Sequence, residues 1–198
     1  MSIPEATAGD RIEPPELVVG NLRGGARLAV AATTFVFFVP FFAYFYLRSL
    51  NSAGMWRPAG VSPPLGLGVA ITVCFAASGI ALSLAAAWTT ARPRLWKPLT
   101  GCSLVLGVAG IAIQIVEWAA LGFGTSAGGY ASVFIGWTLL TTVFALATMV
   151  SIAPQLAYGL RHRDAPLAVV QPRLLGLAFY WAYLAGLSVA MWIVLYAL

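Results

Sequence analysis

The sequence predicts an all-α fold: an integral membrane bundle of five transmembrane helices, with the N-terminus inside and the C-terminus outside. Three observations carry this expectation. Hydrophobic residues make up 61% of the 198 and charged residues 9%, whereas a soluble domain carries about 25% charge. With a mean hydropathy of +0.90, the chain cannot cover itself with a charged surface, so its solvent is lipid. Five apolar runs each reach the length of about 20 residues that a helix needs to cross a bilayer. Finally, the basic residues gather in alternate connections, nine against two.

Residues 1–27 read as a cytoplasmic tail and residues 28–198 as the membrane domain. The opening "MSIPEATAGDRIEPPELVVG" holds three prolines and four of the six acids without helical periodicity. No apolar core follows a basic start, so it is not read as a cleaved signal. The first span, 28–50, is a continuous apolar run, and continuous rather than alternating runs mean helix. Pro40 is expected to bend it by removing a backbone donor. "NSAGMWRPAGVSPP" (51–64) is too rich in Gly and Pro to continue a helix. The second span covers 66–90 and stops at "TTARPRLWKP" (89–98). The third covers 99–123, and the short glycine-rich "GFGTSAGG" (122–129) makes it an antiparallel neighbour of the fourth, 131–157. "GLRHRDAPLAVVQPR" (159–173) separates the fourth from the fifth, 174–197.

Orientation follows from charge. Arg11, Arg23, Arg27, Arg92, Arg94, Lys97, Arg161, Arg163 and Arg173 share the side of the N-terminus, and Arg48 and Arg57 lie on the other. Lys and Arg accumulate in cytoplasmic loops. The net charge of +5 is therefore a topology signal, and without a basic face on a soluble surface no nucleic-acid partner is expected.

The residues offer little chemistry. His162, the one histidine, stands between two arginines in a loop. Metal and haem sites mostly draw on several His, Cys or carboxylate ligands, and Cys74 and Cys102 lie in different spans as small core-filling residues. No phosphate-binding glycine loop and no nucleophile–base pair is present. The expectation is a chain with no catalytic residue, metal ligand or cofactor of its own. The tryptophans and tyrosines, Trp56, Trp118, Tyr180, Trp181 and Tyr196 among them, read as interfacial anchors or core. Arg48 reads as a snorkelling residue, or as the pair of a partner's acid.

One segment resists this bland reading. In "AIQIVEWAA" (112–120), Gln114 and Glu117 interrupt an apolar run. Ser103, Gly107, Gly110, Gln114 and Glu117 recur at spacings of four and three, one stripe of a helix. Thr138, Thr141, Ala145 and Thr148 form a comparable stripe in the fourth span. Small residues let helices approach closely, and polar ones bond across the contact. An ionisable group at this depth is costly, so Glu117 should point inward. Three roles are open to it: an interhelical bond, part of a proton or ion path, or an interfacial position near the surface. The first is favoured, with Tyr130 or Ser132 as partners, so Gln114, Glu117, Tyr130, Ser132 and Thr138 are the expected structural site.

At these residues the chain resembles subunit III of the haem–copper cytochrome c oxidases. "FFAYFYLRSL" (41–50) resembles that family's aromatic helix end and "MWRPAGVSPP" (55–64) its Trp-Pro-Pro-Thr-Gly outer loop. "ASG" (77–79) matches a segment of its next helix. "QIVEW" (114–118) matches Gln-x-x-Glu followed by an aromatic, "YASVFIGWT" (130–138) matches Tyr-Gly-Ser-x-Phe, and "FYWAY" (179–183) resembles Trp-Tyr-Trp-His-Phe. The likeness spans about residues 28 to 198, in order.

It implies a divergent, five-helix member. Such a subunit is non-catalytic and holds no redox centre. It sits beside catalytic subunit I and subunit II, which carry haem and copper, in the cell's inner (plasma) membrane, with membrane lipids as further partners, and stabilises the catalytic subunit in aerobic electron transport. A cleft at a bent first helix would suit a bound lipid in that family. The chain departs from the pattern too. Thr33 and Thr34 stand where the family has Ser-Glu, Ile71 replaces an Asn, Thr141 and Phe144 replace two histidines, and Ala182 and Ala185 replace a His and an Asp. The role of the missing acid is not carried over. The related accessory subunit of a nitric oxide reductase, a small transporter and an assembly factor are the alternatives. The spans show no inverted repeat of the kind transporters use.

Overall fold

The computed structural model of the chain describes residues 15–51, 54–162 and 166–198. The tail's residues 1–14, and the arginine and aspartate at Arg163 and Asp164, lie outside them. The described chain is five long helices and no strand: α1 (Pro15–Ser49), α2 (Leu65–Trp88), α3 (Trp96–Ala120), α4 (Gly129–Arg161) and α5 (Leu167–Trp192), the last continuing as a π-helical turn, Ile193–Ala197. A single 3-10 turn, Thr125–Ala127, links α3 to α4. All five helices are long and apolar enough to cross a membrane, which makes this a multi-pass membrane protein.

The spans lie where the apolar runs put them, but several helices overrun those bounds. α1 begins at Pro15, thirteen residues before the apolar run, so residues 15–27 of the expected tail are helical. Proline suits a first helical position, where its missing N–H would have had no acceptor. At 35 residues, α1 is about 52 Å long at 1.5 Å per residue, well beyond an apolar layer of about 30 Å. α4 runs on to Arg161 and α5 starts at Leu167, directly after Pro166, with Pro172 accommodated inside it. Hydropathy marks where lipid begins and ends, while a helix stops only where its backbone bonding does. Pro40 sits within α1, which continues through it as one helix.

α2 packs against α3 and α5, α4 against α3 and α5, and α1 lies against α4 and α5. The core holds large aromatics, with Trp96, Trp137, Trp181, Tyr44 and Tyr130 all essentially inaccessible. We call the end that carries Arg23, Arg92, Lys97 and Arg161 the basic end, and the end where α3 turns into α4 the opposite end.

At the opposite end, the α1–α2 connection folds back over α4. The backbone N–H groups of Tyr130 and Gly129 donate to the carbonyls of Trp56 (2.9 Å) and Met55 (3.4 Å). Gly128 makes this approach possible. Its φ is +149°, and a Cβ there would come within 2.8 Å of the Met55 carbonyl. The Trp56 ring then stands edge-on between Tyr44 and Tyr130, with centroids 5.1 and 5.8 Å away.

Candidate functional site: a polar latch between four helices

The stripe along α3 faces inward along its whole length. Ser103, Gly107, Gly110, Gln114 and Glu117 are all buried, while Val105, Val108, Ile115 and Val116 on the other faces are exposed. Each member meets a different neighbour. Ser103 bonds to α2, Gly107 leaves room for the Met149 side chain of α4, and Gly110 receives the Phe75 ring of α2. The same helical spacing buries Thr138, Thr141, Ala145 and Thr148 on α4.

Glu117 is 0% exposed, and both of its carboxyl oxygens are occupied. The amide nitrogen of Gln114, one turn earlier on α3, donates to Oε2 at 2.7 Å. The hydroxyl of Tyr196 donates to Oε1 at 2.5 Å. The contact therefore joins α3 to the π-helical turn at the end of α5, in place of the expected bond from α3 to Tyr130 or Ser132 on α4. A glutamine suits this position because its amide is both donor and acceptor. It can serve an ionised carboxylate through its N–H, or a protonated carboxyl through its oxygen.

The other expected site residues distribute as follows. Tyr130 is 1% exposed, and its hydroxyl donates 2.6 Å to the backbone carbonyl of Leu195. It thus holds the residue next to Tyr196, with the Arg57 guanidinium 4.5 Å above its ring. Thr138 links α3 to α4 by accepting the Trp118 indole N–H at 2.9 Å, while its own hydroxyl donates to the Phe134 carbonyl at 2.8 Å. Among the described residues, Ser132 bonds to no other long helix. It lies on the exposed side of α4's first turn and donates to the carbonyls of Thr125 (2.6 Å) and Gly128 (3.2 Å), fastening the linker.

Sequence reasoning missed the fifth helix as the common partner. Tyr196 supplies the Glu117 contact, and Tyr180 and Tyr183 meet Thr33 (3.0 Å) and Thr34 (2.8 Å) of α1. Trp181 donates its indole N–H to Ser78 of α2 at 2.8 Å, and Ser78 in turn donates to the Ser103 carbonyl at 2.6 Å. A tyrosine at a span end reads as an interfacial anchor, and only the packing of α5 between α1 and α2 turns these tyrosines into interhelical bond partners.

The arrangement is suited to fixing helices. Among the described residues, no three His, Cys, Asp or Glu side chains gather as metal ligands do. His162 caps α4 at the basic end, its Nδ1 3.1 Å from the Tyr158 carbonyl, and Cys74 and Cys102 stand on separate helices without a disulfide. Arg48, exposed at the opposite end, donates to the Tyr44 hydroxyl at 3.3 Å. A groove of about 460 Å³ lies between α1 and α4 beside Pro40. A second, of about 510 Å³, lies at the basic end between α1, α4 and α5, with Asn21, Gln155 and Arg173 in its wall. No known protein family matches this chain, and a comparison with characterised proteins returns no relative.

Proposed function

We propose that the chain is a non-catalytic accessory subunit of a terminal respiratory haem–copper oxidase, of the subunit III kind, in the inner (plasma) membrane. In this reading it lies beside catalytic subunit I and subunit II, which hold the haem and copper of the complex. It stabilises the catalytic subunit through helix faces and lipids. Its N-terminus and the basic end are cytoplasmic, as the excess of Arg and Lys there favours.

One observation carries the reading. The segments through which the chain resembles that family are scattered along the sequence, yet three of them meet at one place. Glu117 of "QIVEW", Tyr130 of "YASVF" and Trp56 of the α1–α2 connection are tied together at the opposite end. Several interior polar groups, Glu117, Tyr130, Ser78 and Trp181 among them, are engaged in bonds between helices, as befits a subunit whose work is to hold shape beside another.

Purification of the tagged chain in mild detergent tests this. Haem–copper oxidase subunits I and II should travel with it, and their haem spectrum should appear in the preparation. If only nitric oxide reductase subunits or unrelated membrane proteins co-purify, the oxidase assignment fails. Orientation is tested separately by Ser126→Cys and Asp164→Cys in sealed vesicles. An impermeant thiol reagent should reach the two from opposite sides, and labelling of both from one side would overturn the five-span topology.

A further inference from the structure

The last turn of α5 is wound differently from the rest of the chain. Residues Ile193–Ala197 form a π-helical turn, in which the Leu198 N–H reaches back five residues to the Ile193 carbonyl at 3.2 Å. Such turns are rare, and something must hold them against the ordinary α register. Here two side-chain bonds do so from two different helices. Tyr130 of α4 takes the Leu195 carbonyl, and Glu117 of α3 takes the Tyr196 hydroxyl. A third helix supplies the seat: Tyr196 lies over Gly68 of α2, where a Cβ would collide with its ring. Trp192 and Phe134 close the other sides, with centroids 6.0 and 5.6 Å from the Tyr196 ring.

Glu117 lies three residues before the end of α3, or about 5 Å along the helix axis, yet none of its surface is exposed. Tyr196, which is half-buried, is in contact with its carboxyl. We propose that the Ile193–Ala197 turn is a movable lid that closes over the Glu117 carboxyl. In the closed state the turn is π-wound and Tyr196 is bonded and seated on Gly68. In the open state the turn relaxes to α register, with the Leu198 N–H bonded to the Val194 carbonyl. Tyr196 then leaves Gly68, and the carboxyl meets water at the opposite end of the bundle. The lid gates access of water, and of the protons or small cations it carries, to the one acid whose side chain the structure describes.

The test uses the full chain in mild detergent and a water-soluble carbodiimide with glycine ethyl ester, which converts an accessible carboxyl to an amide. Mass spectrometry of the peptide containing Glu117 gives the labelling rate, with SDS-unfolded chain as the upper reference. Amide hydrogen exchange over 193–198 is followed in parallel. Tyr196→Phe keeps the ring and removes the bond, whereas Gly68→Ala keeps the hydroxyl but fills the space under it and the ring, so it displaces both from the seat. Each should speed Glu117 labelling about three- to eighteenfold, the shift in opening that loss of one interhelical bond gives in a membrane protein. Faster exchange should be confined to residues 193–198. The lid is overturned if Tyr196→Phe leaves labelling and exchange unchanged. It is also overturned if exchange quickens equally along α3 and α4, because the bundle has then loosened as a whole. Should Gly68→Ala fail to fold, Tyr196→Phe alone decides.

Discussion

The two ends of the bundle hold their helices by different means. At the opposite end, directional bonds converge. Glu117, Tyr196, Tyr130 and the Leu195 carbonyl join α3, α4 and α5, and the Trp56 carbonyl ties in the α1–α2 connection. At the basic end the contacts are made by shape. The Trp96 ring fills the space above Gly159, and Arg92 and Lys97 lie against the rings of Trp88 and Trp96. Arg173 stands exposed at the wall of an open groove. The difference follows from solvent. Buried polar atoms in an apolar surround must be matched one by one, whereas basic side chains beside headgroups and water need no protein partner.

Substitutions at four positions probe that contrast, from the largest expected effect to the smallest. Glu117→Leu leaves two donors, Tyr196 Oη and Gln114 Nε2, without their acceptor. At about 1–3 kcal/mol for an unsatisfied buried group, the chain should lose about 3 kcal/mol in SDS-titrated unfolding, whereas Glu117→Gln should stay within about 0.5 kcal/mol because it still accepts from Tyr196. A loss in Glu117→Leu no greater than that in Glu117→Gln would mean that the polar end is held by packing. Gly159→Val drives side-chain atoms into the Trp96 ring, and overpacking of this kind costs about 1–3 kcal/mol. We expect about 2 kcal/mol in the same titration, with quenching of Trp96 fluorescence. A neutral result would show that the basic end has slack its contacts do not suggest.

Tyr130→Phe removes one interhelical bond and keeps the ring, so about 0.6 to 1.7 kcal/mol should be lost. Paired with Glu117→Leu in a double-mutant cycle, it should be non-additive, since both bonds act on one turn; strict additivity would separate them into independent contacts. Arg173→Gln, at the basic end, should change stability by less than about 0.5 kcal/mol, as exposed substitutions usually do. A larger loss, measured in lipid bicelles, would reveal a partner for this arginine and end the contrast.

Much of this was legible in the sequence. Apolar runs of membrane length gave five helices, and spacings of four and three put Ser103, Gly107, Gly110, Gln114 and Glu117 on one inward face, where all five are buried. What periodicity cannot supply is the identity of the helix opposite that face. Residues 130 and 132 are closest along the chain to Glu117, and short loops favour neighbours, which pointed to α4. The actual partner, Tyr196, is 79 positions away and stands on a π-wound turn. No residue pattern announces that winding. The same limit applies to Thr33 and Thr34, whose partners, Tyr180 and Tyr183, lie 147 and 149 positions away. Helix limits differ for another reason: α1 and α4 continue beyond their apolar runs, where hydropathy has no more to say.

The bonds that α5 supplies also bear on the order in which the protein is built. Ser78, Glu117, Tyr130, Thr33 and Thr34 belong to the first four helices, and each has a partner on α5 or on the turn that extends it. During synthesis those helices enter the membrane first; Ser78 and Thr34 already bond within them, to Ser103 and Val30, whereas Glu117 Oε1 and the Tyr130 hydroxyl wait for the fifth helix. A four-helix intermediate therefore presents unmatched polar atoms to lipid, and the arrival of α5 quenches them together. Insertion of the fifth helix is the step that commits the chain to its final shape. A ribosome-bound chain stopped before Leu167 should remain a substrate for membrane chaperones and proteases, and one in which residues 167–198 have entered the membrane should not.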